Sequence, residues 1–160
     1  MLLGLCFAAV AFLIDQFSKW YVFSLFADDY TTRVFGSYFN LVNAWNTGAS
    51  FSMFDDKGLF GRIFLIVFAL CVVVFLLRWM YREHNRFTQA CLGLIVGGAL
   101  GNVFDRVRFG AVYDFLDFHY GQWHWPAFNA ADSFITVGAF LILIEGILYQ
   151  RKQSLKEIEK

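Results

Sequence analysis

Four stretches of this chain stay apolar for long enough to cross a hydrocarbon layer about 30 Å thick, which takes roughly 20 helical residues. They cover residues 2–26, 59–77, 87–104 and 133–149, about half of the 160 positions. The third has no charged residue, the second only Arg62 and the fourth only Glu145, whereas the first carries Asp15 and Lys19 inside it. The pattern predicts an all-α membrane protein, a four-helix bundle forming a single integral membrane domain over residues 1–160. With no room left for a soluble domain, any function must be built from these helices and their connections. The first span lacks a basic leader and a clear small-residue cleavage site, so it is expected to stay in the mature protein.

The connections differ in kind. Residues 27–58 are too long for a simple turn. Within them Arg33–Trp45 is rich in β-branched and aromatic residues, and Asn46-Thr47-Gly48 then breaks the pattern as a turn would. A small β-cradle on the outer membrane surface is the expectation. The connection at 105–132 contains the alternating run Val112-Tyr113-Asp114-Phe115-Leu116-Asp117-Phe118, which suits an extended segment. Trp123, Trp125 and Pro126 follow just before the fourth span, an aromatic cluster suited to the headgroup layer.

Composition agrees with lipid as the solvent. The chain is 59% hydrophobic and 16% charged, against about 25% charged in soluble domains, and its mean hydropathy is +0.54. Aromatics make up 21% and proline occurs once, which excludes the disordered and Pro-rich classes. Thirteen basic and thirteen acidic residues leave no net charge, so a nucleic-acid partner is not expected. Charge placement is more informative. Arg78, Arg82 and Arg86 join Arg151, Lys152, Lys156 and Lys160 on one side. Arg33, Lys57, Arg106 and Arg108 on the other are diluted by Asp28, Asp29, Asp55, Asp56, Asp105, Asp114, Asp117 and Asp132. This bias puts both termini in the cytoplasm and the connections at 27–58 and 105–132 outside. Cys6, Cys71 and Cys91 lack metal or redox spacing and read as small buried hydrophobes. Gly93, Gly97 and Gly101, four apart with Gly98 and Ala99 beside them, predict a face of the third helix that another helix approaches closely.

Polar groups at membrane depth are costly and therefore informative. They gather at the outer ends of the third and fourth spans. Asn102, Asp105 and Arg106 stand at i, i+3 and i+4 and are expected on one face, Asp114 and Asp117 follow, and Asn129 and Asp132 open the fourth helix. Two carboxyls sharing a site do not both ionise cheaply, so one keeps its proton while the other can take one from water. The amino-terminal dipole of the fourth helix suits Asp132 as base, leaving Asp114 as acid. On the pattern alone the alternative stays open that these carboxylates cap helices and pair with Arg106 or Arg108.

The words around them carry a resemblance. Asp15-Gln16-Phe17-Ser18-Lys19, Asn43-Ala44-Trp45-Asn46-Thr47-Gly48-Ala49-Ser50-Phe51-Ser52, Gly97-Gly98-Ala99-Leu100-Gly101-Asn102-Val103-Phe104-Asp105-Arg106, Val112-Tyr113-Asp114-Phe115 and Phe128-Asn129-Ala130-Ala131-Asp132-Ser133 occur in this order. The sequence resembles the lipoprotein signal peptidases (signal peptidase II), bacterial inner-membrane aspartic proteases. That resemblance implies catalysis by Asp114 and Asp132, with supporting roles for Asp15, Lys19, Asn46, Gly48, Asn102, Asp105, Arg106, Asn129 and Ala131. It implies a prolipoprotein substrate cut on the amino side of a diacylglyceryl-modified cysteine, with no metal or organic cofactor. Among the supports, Arg106 is expected to pair with Asp105, and Asp15 with Lys19 one turn on. Membrane lipids are the expected surroundings and a monomer the expected state. Two other readings compete: an ion or proton transporter with Asp15, Lys19 and Glu145 as a relay, and a metal-dependent hydrolase using His119, His124, Asp114 and Asp117.

Overall fold

The computed structural model describes residues 1–26, 33–34, 36–48 and 58–158. The expected positions of Asp28, Asp29, Ala49–Ser52, Asp55, Asp56, Lys57 and Lys160 lie outside these. Among the described residues four helices are long and apolar enough to cross a membrane: α1 (Leu2–Leu25), α2 (Gly58–Arg82), α3 (Arg86–Phe109) and α4 (Ala130–Ile158). Helices α2, α3 and α4 outrun their apolar stretches, with charged residues still helical at their ends, whereas α1 ends one residue short of its own.

The burial pattern inverts that of a soluble protein. Phe60, Phe75, Phe140 and Leu143 face outward, while Asp15, Lys19, Gln89, Asp105 and Asn129 are buried. Outward apolar side chains lose nothing in lipid, whereas a polar group there must find a partner within the protein. Helix α3 is central: 67% of its apolar window is buried within the protein, against 28%, 17% and 11% for α1, α2 and α4. Its glycines make this possible. A Cβ on Gly97 would lie 2.3 Å from the Ala8 carbonyl oxygen of α1, and one on Gly98 would lie 2.5 Å from the Ala131 carbonyl oxygen of α4. The buried positions of α1, Gly4, Ala8, Ala11, Asp15, Lys19 and Val22, keep the three-and-four spacing of a single face. Cys6 lies off that face, so the expected burial of all three cysteines is corrected: Cys91 is buried, but Cys6 and Cys71 are exposed on the outer helix surfaces.

Four strands form an antiparallel sheet in chain order, β1 (Arg33–Val34), β2 (Phe39–Asn46), β3 (Val112–Tyr120) and β4 (Trp123–His124). Within the region expected to form the β-cradle, β1 and β2 lie on either side of Gly36, whose φ of 106° is left-handed and suits only glycine. An irregularity between Leu41 and Ala44 shifts the β2–β3 register, after which Ala44 faces Asp114. Val22 and Phe26 at the end of α1 pack with Tyr113 and Phe115, seating the sheet on the bundle. The entry to β3 is set by Gly110, which ends α3 at φ 82° and donates its N–H to the Arg106 carbonyl.

At the opposite end of the bundle, Glu145 accepts hydrogen bonds from Asn85 Nδ2 and from Thr88 Oγ1 at 2.7 Å. These bonds tie α4 to the start of α3. Among the described residues no hydrogen bond joins Glu145 to Asp15 or Lys19, so the relay reading finds no support.

Candidate active site

The site forms where the sheet meets the outer ends of α3 and α4. Asn129 caps α4 reciprocally with Asp132: its Oδ1 accepts the Asp132 N–H at 3.0 Å, and Asp132 Oδ2 accepts the Asn129 N–H at 3.3 Å. This is the box expected of residues at the cap and third helical position, and it fixes Asp132 in the first turn. Asp114 arrives from β3. Its Oδ1 accepts from Asn129 Nδ2 at 2.6 Å and its Oδ2 from Asn46 Nδ2 at 3.0 Å. Asn102 of α3 donates to Asp132 Oδ1 at 2.8 Å. The two carboxylates are thus bridged by Asn129 and flanked by the amides of Asn46 and Asn102, all four contacts being donated to them.

Asp114 is only 3% exposed. Burial first, and then the negative charge of Asp132, push its carboxyl up to about 6, against the opposing pull of the Asn46 and Asn129 amides and of Lys19. Asp132 is half-buried and opens into a cleft of about 920 Å³ that both carboxylates line together with Asn46, Asn102 and Arg106. Trp45, Trp125 and Phe128 supply apolar walls.

Behind the cleft, Lys19 Nζ lies 2.8 Å from Asp15 Oδ2, 2.7 Å from Asp105 Oδ2 and 3.1 Å from Asn102 Oδ1. The Asp15–Lys19 pair is therefore the core of a larger network, with Asp15 Oδ1 also accepting the Ala131 N–H at 2.9 Å. The expected Asp105–Arg106 pair does not form. Adjacent helical residues point about 100° apart, so Asp105 turns to α1 while Arg106 turns to the sheet. There Arg106 donates to the Gly48 carbonyl at 2.8 Å, and the Gly48 N–H donates to Asn46 Oδ1 at 3.1 Å. For the same reason Asn102, Asp105 and Arg106 do not share one working face. Asn102 and Arg106 line the cleft, and Asp105 stands behind it.

Of the residues singled out from the sequence, Asp114 and Asp132 and their supports Asp15, Lys19, Asn46, Gly48, Asn102, Asp105, Arg106, Asn129 and Ala131 come together in these two layers. Gln16 was missed as a participant: its Nε2 donates to Asp15 Oδ2 and to Asp105 Oδ1, each at 3.0 Å. Its signal was an amide one residue from a buried carboxylate. Thr136, which also lines the cleft, stands one turn beyond Asp132. The metal set does not assemble, since no group of three or more potential ligands gathers among the described residues. Asp114 and Asp117 are engaged separately, Asp117 by Asn40 at 2.8 Å and His124 at 2.9 Å. Burial pushes the Asp117 carboxyl up, but hydrogen bonds from these two together with the charges of His124 and His119 hold it below its usual value.

The family model described as Signal peptidase (SPase) II matches residues 7–148. The lipoprotein signal peptidase of Aeromonas hydrophila is 42% identical over 92% of this chain and 89% of its own length. That of Neisseria meningitidis serogroup C is 41% identical over 93% and 91%. A solved structure described as a bacterial membrane enzyme, obtained by the in meso method, superimposes with a TM-score of 0.77 at 27% identity, covering 90% of this chain and 87% of that one. A second so described gives 0.73 at 28% identity over 89% and 90%. A family match over residues 7–148, with relatives above 40% identity over about nine-tenths of the chain, admits one conclusion: this chain belongs to the signal peptidase II family.

Proposed function

We propose that this protein removes the signal peptides of bacterial prolipoproteins in the inner membrane, and that it does so as an aspartic endopeptidase with Asp114 and Asp132 as its reacting groups. The activity follows from the family and from relatives named as lipoprotein signal peptidases. The mechanism rests on one observation: two carboxylates joined through Asn129 at a cleft, one buried with its carboxyl raised to about 6 and the other half-buried.

In the reaction, Asp132 as carboxylate accepts a proton from water, and the resulting hydroxide adds to the scissile carbonyl carbon. Asp114 in its protonated form donates to the carbonyl oxygen. As the intermediate collapses, the C–N bond breaks, the departing amine takes the proton gathered by Asp132, and one hydroxyl of the intermediate returns its proton to Asp114 as the new carboxyl group forms, which restores both aspartates. Asn46, Asn102 and Asn129 hold the pair without adding a charge that would neutralise it. Arg106 ties the Asn46–Gly48 turn to α3 and so keeps the Asn46 amide on Asp114.

The substrate is a prolipoprotein precursor whose cysteine already carries diacylglycerol, cut on the amino side of that cysteine. Both substrate anchors lie in the bilayer, so lipid confines the encounter to the plane of the membrane and supplies orientation. The cleft faces outward, with both termini and the basic residues Arg78, Arg82, Arg86, Arg151 and Lys152 on the cytoplasmic side. The protein acts as a monomer. Purified protein is expected to cleave a diacylglyceryl precursor and to leave the same precursor uncut when it lacks the lipid, with activity undiminished by a chelator. Equal cleavage of both forms, or loss in the chelator, would overturn this reading.

A further inference from the structure

The amides that hold the two carboxylates could each point either way, since an amide offers an oxygen at one end and a nitrogen at the other. For Asn102 the deciding neighbour is Lys19. An ammonium has donors and no acceptor, so the Asn102 amide must turn its oxygen toward Lys19 Nζ, at 3.1 Å, and its nitrogen toward Asp132 Oδ1, at 2.8 Å. Asn102 Oδ1 also accepts from Asn129 Nδ2 at 3.2 Å, and that same nitrogen donates to Asp114 Oδ1 at 2.6 Å. Asn129 is then left with its oxygen for the Asp132 N–H. A flipped Asn102 would set its NH₂ against the ammonium and against the Asn129 NH₂, and its oxygen against the carboxylate of Asp132.

We infer that Lys19, which lies outside the cleft, is the positioning residue that sets the donor direction of Asn102 and, through it, of Asn129, so that both reacting carboxylates are met by N–H groups. The geometry around it is built for this. Lys19 is 5% exposed and is clamped by Asp15 at 2.8 Å and Asp105 at 2.7 Å. Its charge is therefore compensated on the side away from the cleft, and its remaining reach is toward Asn102. Asp15 at the same time accepts the Ala131 N–H one residue before Asp132, tying the clamp to the start of α4. The inference rests on Asp114 and Asp132 being the reacting pair.

The test is a double-mutant cycle in purified protein with a diacylglyceryl precursor, using Lys19→Met, Asn102→Ala and the double variant. Each single change is expected to lower kcat by about 10-fold to 100-fold, with KM within about twofold of wild type, and to alter the pH profile in the same way. The double variant is expected to be no slower than Asn102→Ala alone, because Lys19 then has no amide to orient. Losses that multiply, or a kcat untouched by Lys19→Met, would overturn the inference. Should Lys19→Met fail to fold, Asn102→Asp with Lys19 intact decides. Once protonated, that carboxyl can keep its carbonyl toward Lys19 and offer its O–H to Asp132. Its kcat relative to wild type is expected to rise on acidification, and a flat ratio would overturn the inference. Full turnover by Asp132→Asn would instead sink the dyad itself, whatever the cycle shows.

Discussion

Replacing Gly97 by alanine adds one methyl group at the tightest face of the bundle. A Cβ there would stand 2.3 Å from the Ala8 carbonyl oxygen and 2.8 Å from Ala11 Cβ. Neither neighbour can rotate away, since one is backbone and the other has no further side chain. Restoring ordinary contact near 3.4 Å requires α1 and α3 to part by about 1 Å. Overpacking of this kind costs about 1–3 kcal/mol, and for a chain of this size a Tm roughly 5 °C lower is expected. The same separation stretches the Lys19–Asn102 contact from 3.1 Å to beyond hydrogen-bonding range, so cleavage should fall along with stability. Gly146→Ala is the control. Nothing stands within 4 Å of its Cβ, and alanine favours the helix by up to about 1 kcal/mol. Thermal unfolding in detergent, with cleavage measured on the same samples, decides the matter. A Gly97→Ala protein with wild-type Tm and wild-type turnover would refute the close-packing account of α3.

Other outcomes follow from the electrostatics and the inner end of the bundle. Because burial and Asp132 raise Asp114 from 3.8 to about 6, the folded protein holds a proton in that window that the unfolded chain has lost. Its contribution is full below about pH 4 and falls as pH climbs through 6. Asp114→Asn should flatten that slope in Tm measured from pH 4 to 8, and an unchanged slope would contradict it. Asn46→Ala removes a donor that lowers Asp114, so the limb of the cleavage profile that reports Asp114 should move to higher pH, whereas a move to lower pH would be wrong in sign. Glu145→Leu leaves the Asn85 and Thr88 donors without their acceptor and should cost about 1–3 kcal/mol in stability. Glu145 lies about 20 Å along α4 from Asp132, so cleavage should stay within about twofold of wild type.

Much of the fold is legible in the sequence because lipid imposes a simple rule: apolar runs of sufficient length must become helices whose backbone bonds are internal. The glycines four apart likewise announce a close helix contact, which the structure assigns to α1: a Cβ on Gly97 would stand 2.3 Å from the Ala8 carbonyl oxygen. Side-chain direction was less legible. Asp105 and Arg106 are neighbours of opposite charge, yet helical rotation separates them, and only the approach of α1 shows that Asp105 belongs to Lys19. The split of the 33–46 region into two strands depended on the left-handed φ of Gly36, one of several glycines in the connections with nothing in composition to mark it. Cys6 illustrates the converse limit. An apolar neighbourhood predicts removal from water, but in a membrane protein lipid satisfies that as well as the core does.

The central claim is that Asp114 and Asp132 share the reaction, each indispensable and neither required for insertion. It is tested most directly by the single-turnover cleavage rate of a diacylglyceryl precursor by purified Asp114→Asn and Asp132→Asn proteins, each shown by thermal unfolding to be folded. Loss of an acid–base partner is expected to slow each by at least about 100-fold, with cooperative unfolding retained. Cleavage at the wild-type rate by either folded variant would contradict the account.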